Sequence, residues 1–167
     1  MSQVPQTISS SLNKPISHLC PFSLGRDNSQ NHCAHFVSHV MGYEWGNTCK
    51  NHTWTDKQKP DKGAVIRVNE LFNKCSETGA LSAKPASLTE CLIFVTVSTN
   101  MGTMGNRRVM GAQPKKHIGI LYKGKVWNYS NSHNKVVADV LEVFKTKFTH
   151  AYGTPGATVE FYYGKFL

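Results

Sequence analysis

The chain has 167 residues, 40% of them hydrophobic, enough for a single domain that can build a core without disulfides or metal. Only 17% are charged, in no long run, and no stretch approaches the roughly 18 apolar residues of a membrane span, which excludes a disordered tail and a membrane-spanning helix. Nineteen Lys and Arg against ten Asp and Glu give a net charge of +9, which suits polyanionic partners. The basic residues are scattered, with no clustered stripe and no nucleic-acid motif.

Residues 1–28 are rich in Ser, Gln, Asn and Pro without periodicity and read as an extended arm before one domain over 29–167. Met1 to Cys20 carry no apolar core of a secretory signal, so the expectation is synthesis in a reducing cytoplasm. Cys33, Phe36, Val37, Val40 and Met41 form one helical stripe. Asn31 suits the N-cap and Gly42 the left-handed position after the helix. Residues 43–63 are polar and read as a loop carrying Trp45, Cys49 and Trp54.

A second helix is expected from Gly63 or Ala64 to Cys75, on a face of Val65, Val68, Leu71, Phe72 and Cys75. Cys91 to Val97 is a continuous β-branched and aromatic run, the pattern of a strand buried on both faces. Residues 98–116 read as a long loop. His117–Tyr122 and Lys125–Ser130 read as a hairpin turning at Lys123-Gly124, which pairs Gly119 with Asn128 and His117 with Ser130. Asp139 to Lys147 reads as a short helix and Val159 to Phe166 as a closing strand. Helices precede strands, so the fold class is α+β.

Cys33 near a helix N-terminus is placed where the helix dipole favours a thiolate, the nucleophilic form of cysteine. His117, on the neighbouring hairpin, can act as its base. An imidazole used as a base needs a third group to fix its tautomer. Asn128 lies diagonally across Gly119, which has no side chain to intervene, and Ser130, directly opposite, is the alternative.

These blocks, Asn31-His32-Cys33-Ala34-His35-Phe36-Val37, then His117-Ile118-Gly119-Ile120-Leu121-Tyr122 and Val126-Trp127-Asn128, resemble those of NlpC-type papain-like cysteine peptidases. The resemblance covers about a third of the chain. It matches Cys33 to the family nucleophile, His117 to the base and Asn128 to the orienting residue. His32 stands where the family often has Asp, and Asn128 where bacterial members commonly have His; papain itself has Asn. Cysteine preceding histidine argues against the permuted lecithin-retinol-acyltransferase-like branch.

The small, basic, signal-less chain is most similar to type VI secretion amidase effectors, a resemblance also carried by Cys33–His39 and Ile66–Phe72. It implies a papain-like fold and a monomeric enzyme without cofactor or metal that cuts amide bonds in peptidoglycan peptides. Such proteins are made in the cytoplasm, delivered by a secretion-system component to the periplasm of a Gram-negative target, and restrained by an immunity protein. Neither nucleic acid nor membrane insertion belongs to this reading. The Cys33 N–H is the expected oxyanion donor, joined by Gln30 or Asn28, while the 98–116 segment with Trp45 or Trp54 would wall the cleft.

Three rivals use the same residues differently. His32, His35 and His39 share a helical face, a ligand geometry, but that face is expected to meet solvent without a local carboxylate. A nucleic-acid-binding module would rest on the +9 charge and lose affinity steeply with salt. A catalytically dead papain-like module would keep the fold and lose the thiol's reactivity. Cys20 with Cys49, or Cys75 with Cys91, could pair in an oxidising compartment, although Cys75 and Cys91 lie on apolar faces and read as buried free thiols.

Overall fold

The computed structural model describes residues 1–167. Four helices, α1 (Cys33–Met41), α2 (Trp54–Lys57), α3 (Val68–Lys74) and α4 (Leu141–Tyr152), accompany eight strands. The strands are β1 (Thr78–Ala80), β2 (Cys91–Val97), β3 (Met101–Met104), β4 (Arg107–Met110), β5 (Lys116–Tyr122), β6 (Lys125–Ser130), β7 (Lys135–Val140) and β8 (Val159–Gly164). Six form one antiparallel sheet in the order β1-β8-β2-β5-β6-β7, while β3 and β4 pair separately. The class is α+β.

The sheet divides the core because side chains alternate along each strand. Ile118, Ile120 and Tyr122 of β5, with Trp127 and Tyr129 of β6, pack in the larger cluster with Cys33, Phe36 and Val37 of α1. Leu121 and Val126 face the other way, into a smaller cluster built on Phe144 and Phe148 of α4. β2 sits between β5 and β8 with all seven residues buried, as its unbroken apolar run predicts.

Several expectations are corrected. The arm is not extended: it folds into three 3-10 turns, Gln6–Ser11, Ile16–His18 and Ser23–Arg26, and its Val4, Ile8, Ile16, Cys20, Phe22 and Leu24 belong to the main core. Those apolar residues are irregularly spaced, so they carry no periodic signal. The second helix starts only at Val68, because the backbone before it is used elsewhere: Val65 bridges Thr48, and its N–H donates to the Tyr43 carbonyl at 3.0 Å. Within the long 98–116 segment, β3 and β4 form a small hairpin. Residues 135–140 form β7, and the helix after it runs on to Tyr152. The expected last strand is present as β8, and it lies inside the sheet between β1 and β2.

Candidate active site and a second cluster

Cys33 opens α1. His32, not Asn31, occupies the N-cap, and Asn31 Oδ1 accepts the Cys33 N–H at 3.0 Å. The cysteine is therefore one position nearer the helix start than expected. The N–H expected to serve an oxyanion is already bonded in the resting protein. Gly42 takes the left-handed conformation after the helix, as its sequence position predicts.

Cys33 is 2% exposed and lines a cavity of about 270 Å³. Leu24 from the arm, Gln30 just before α1, His52 from the 43–63 loop, Arg67 before α3 and Lys116 at the start of β5 line its walls. Asn28, Trp45 and Trp54 do not, so Gln30 is the side-chain donor that reaches this cavity. Of the 98–116 segment only Pro114 and Lys116 contribute. Burial pushes the Cys33 thiol up to about 12, against the pull of the Ala34 and Ile118 N–H groups and the Lys116 charge. The sequence suggests an easily ionised thiol; here desolvation outweighs the field of a nine-residue helix.

His117 and Asn128 meet as the hairpin register requires. Gly119 pairs with Asn128, and His117 Nε2 lies 3.1 Å from Asn128 Oδ1. Asn128 Nδ2 is directed at two acceptors, the Val126 carbonyl at 3.1 Å and Asp139 Oδ2 at 3.2 Å, which fixes the amide's orientation. Its Oδ1 must then accept from His117 Nε2–H, leaving Nδ1 as the basic nitrogen, without a hydrogen-bond partner. Ser130 turns instead to His133 Nδ1 at 3.0 Å, so it does not orient His117. Asp139, which Lys147 holds at 3.3 Å, is the member that sequence reasoning missed. It lies on β7, a strand the sequence does not announce.

Cys33 and His117 do not share a hydrogen bond. The imidazole lies on the α4 face of β5, stacked on Phe148 at 4.3 Å, whereas the thiol lies among the α1-face residues. The thiol is reached at the start of β5 by the N–H of Ile118, the residue after His117. There the β5–β6 ladder stops: the last pair is Gly119 with Asn128, and the expected pairing of His117 with Ser130 is not made. The end of β6 is tied to the helix start instead, through Asn131 Oδ1 accepting the His32 N–H at 2.8 Å. Burial holds His117 down to about 4, outweighing the bond to Asn128. Thiol and imidazole are both neutral at rest.

Gly119 is required by this packing. A β-carbon there would stand 2.6 Å from Val126 Cγ1, 2.9 Å from the Trp127 carbonyl oxygen and 3.1 Å from Asn128 Cβ. Gly119→Ala is expected to destabilise the fold by about 1–3 kcal/mol, because backbone must move to admit a methyl group. Urea denaturation with the midpoint compared at equal slope measures this.

The histidine face of α1 is also corrected. His32 and His35 are fully buried and His39 half-buried, because the arm and the 43–63 loop cover a face expected to meet solvent. All five cysteines are buried and free, Cys75 and Cys91 on apolar faces as expected. No helix is long and apolar enough to cross a membrane. Comparisons of the chain with protein-family models, with curated proteins and with solved structures find no match.

Proposed function

We propose that the protein is a cysteine hydrolase of papain-like type that cleaves amide bonds, with Cys33 as nucleophile, His117 as base and Asn128 as the residue that orients it. The observation that carries this reading is the Asp139–Asn128–His117 chain of hydrogen bonds, which leaves Nδ1 basic and unpaired one residue from the backbone that flanks Cys33. Because both groups are neutral at rest, the thiol proton moves to Nδ1 as Sγ attacks, in the manner of a serine hydrolase rather than from a preformed ion pair. The S–C bond forms, the proton passes from His117 to the leaving amine, and the C–N bond breaks. Water, deprotonated by His117, then releases the acyl group and restores the thiol.

For that transfer the imidazole leaves its stack on Phe148 and approaches Cys33 where β5 runs past the end of its pairing with β6. Arg67, Lys116 and His52 around the cavity suit a substrate bearing carboxylates. Stem peptides of peptidoglycan are such substrates, and the narrower reading is an amidase effector delivered by type VI secretion into a rival's periplasm. An immunity protein that covers the Cys33 cavity would be its natural partner.

Incubation of the purified protein with isolated Gram-negative peptidoglycan, read by mass spectrometry, tests this. Wild type is expected to release cut peptides, and Asn128→Ala to lower kcat more than KM, as loss of an orienting group requires. Intact sacculi after incubation with wild type would remove peptidoglycan as the substrate.

A second reading has its own support. The missing Cys33–His117 hydrogen bond and the raised thiol fit a papain-like binding module that no longer reacts. It predicts that no amide substrate acylates Cys33.

A further inference from the structure

A buried cluster of Cys and His lies beside the candidate active site and takes no part in it. We propose that Cys20, His35, His39 and Cys49 form a closed, tetrahedral Zn²⁺ site of the structural Cys₂His₂ kind. Their four ligating atoms lie within 4.8 Å of one another. His35 and His39, one turn apart on α1, direct their Nε2 atoms to within 3.1 Å, and Cys49 Sγ stands 3.8 Å from His39 Nε2. Zinc bonds of about 2.3 Å to sulfur and about 2.0 Å to nitrogen give tetrahedral edges of about 3.3 Å between nitrogens and about 3.5 Å between sulfur and nitrogen. The His35–His39 and His39–Cys49 pairs already stand near those separations, and no pair of the four atoms exceeds 4.8 Å.

The surroundings are arranged for ligation. His32 Nε2 lies 2.9 Å from the Asp27 carbonyl oxygen, which can only accept, so that nitrogen carries the proton. Its Nδ1 is then an acceptor, and His35 Nδ1, at 3.1 Å, must donate to it. The His35 proton is thereby fixed on Nδ1, and the Nε2 lone pair is bare and aimed into the cluster. Such an outer hydrogen bond is what orients a metal-binding imidazole and raises its basicity. The Ala64 N–H donates to Cys49 Sγ at 3.3 Å, a bond that favours a thiolate there. Gly25 lets the chain pass Cys20: a β-carbon would lie 3.2 Å from its sulfur and 2.8 Å from its Cβ.

A simple N–H···N bond between His39 and His35 accounts for one of these contacts. It does not account for two thiols from distant parts of the chain meeting at the same point. Four protein ligands leave no open position, so the ion would be structural rather than catalytic. Its binding would release two thiol protons. It would clamp the arm, through Cys20, and the 43–63 loop, through Cys49, onto the helix that presents Cys33. Those same segments supply Leu24 and His52 to the cavity walls.

The test does not depend on the hydrolase reading. Untagged full-length protein, purified under reducing conditions from zinc-supplemented cells, is expected to keep one zinc per chain through dialysis, measured by mass spectrometry of the metal. Cys33→Ala is expected to keep it, and Cys49→Ala and His39→Gln to lose it. Cobalt substituted into the wild type is expected to show the strong visible bands and thiolate charge transfer of a tetrahedral site, a readout that needs no variant to fold. Strong chelation is expected to lower the melting temperature. Wild type that holds no stoichiometric zinc and takes up no cobalt, or that carries a Cys20–Cys49 disulfide in place of the ion, overturns the proposal.

Discussion

Cys33→Ala is expected to abolish amide hydrolysis, by on the order of 10³-fold or more, while leaving the fold intact. The two effects separate because the sulfur contributes little volume to a core already closed by Phe36, Val37 and Ile118. Its removal is expected to cost about 1 kcal/mol. Fragment release from peptidoglycan gives the activity, and circular dichroism with urea denaturation gives the fold. Residual hydrolysis within tenfold of wild type would remove Cys33 as the nucleophile. The alkylation rate carries a further sign. A helix-start thiol read from the sequence alone would react quickly with iodoacetamide near neutral pH. One held up at about 12 by burial is expected to react slowly until substrate or a partner opens the cavity.

Acid is expected to destabilise the protein through His117 well before the carboxylates protonate. In the unfolded chain the imidazole titrates near its ordinary 6.5; in the folded protein burial between β5 and α4 holds it down to about 4. Between those values the unfolded state binds a proton that the native state refuses. Stability is therefore full above pH 6.5 and falls as the pH drops toward 4, by up to about 3 kcal/mol from this group. His32, also lowered by burial, adds in the same direction. The His117 share is isolated by His117→Gln, whose stability is expected to fall less steeply over this window. Urea midpoints at pH 7.5, 5.5 and 4.5 decide it: identical slopes for the two proteins would show that His117 is not held neutral by the fold.

The hairpin was the most legible part of the sequence. Turn chemistry at Lys123-Gly124 sets the register, and register alone places Asn128 across Gly119 from His117. α1 was equally plain, since both its stripe and its terminating Gly42 are local signals. What could not be read was long-range. Asp139 reaches Asn128 only because β7 pairs with β6, and the residues of β7 alternate in burial only weakly. The burial of His35 depends on an arm whose apolar residues follow no period. Periodicity also cannot say which face of a sheet a helix will cover. Cys33 and His117 were each legible, but their assignment to opposite sides of β5 was not.

The placement of β8 between β1 and β2 has a consequence for how the protein is made. Until β8 joins it, β2 has at most β5 on one side and an open row of amide and carbonyl groups on the other. That row belongs to the most apolar segment of the chain, the kind of unprotected edge on which nascent chains associate. Joining β8 to β2 closes a loop of more than 60 residues, from Val97 to Val159, so the step that protects the edge is non-local and late. Folding of this protein is thus expected to lean on chaperones that shield a strand edge until β8 is in place.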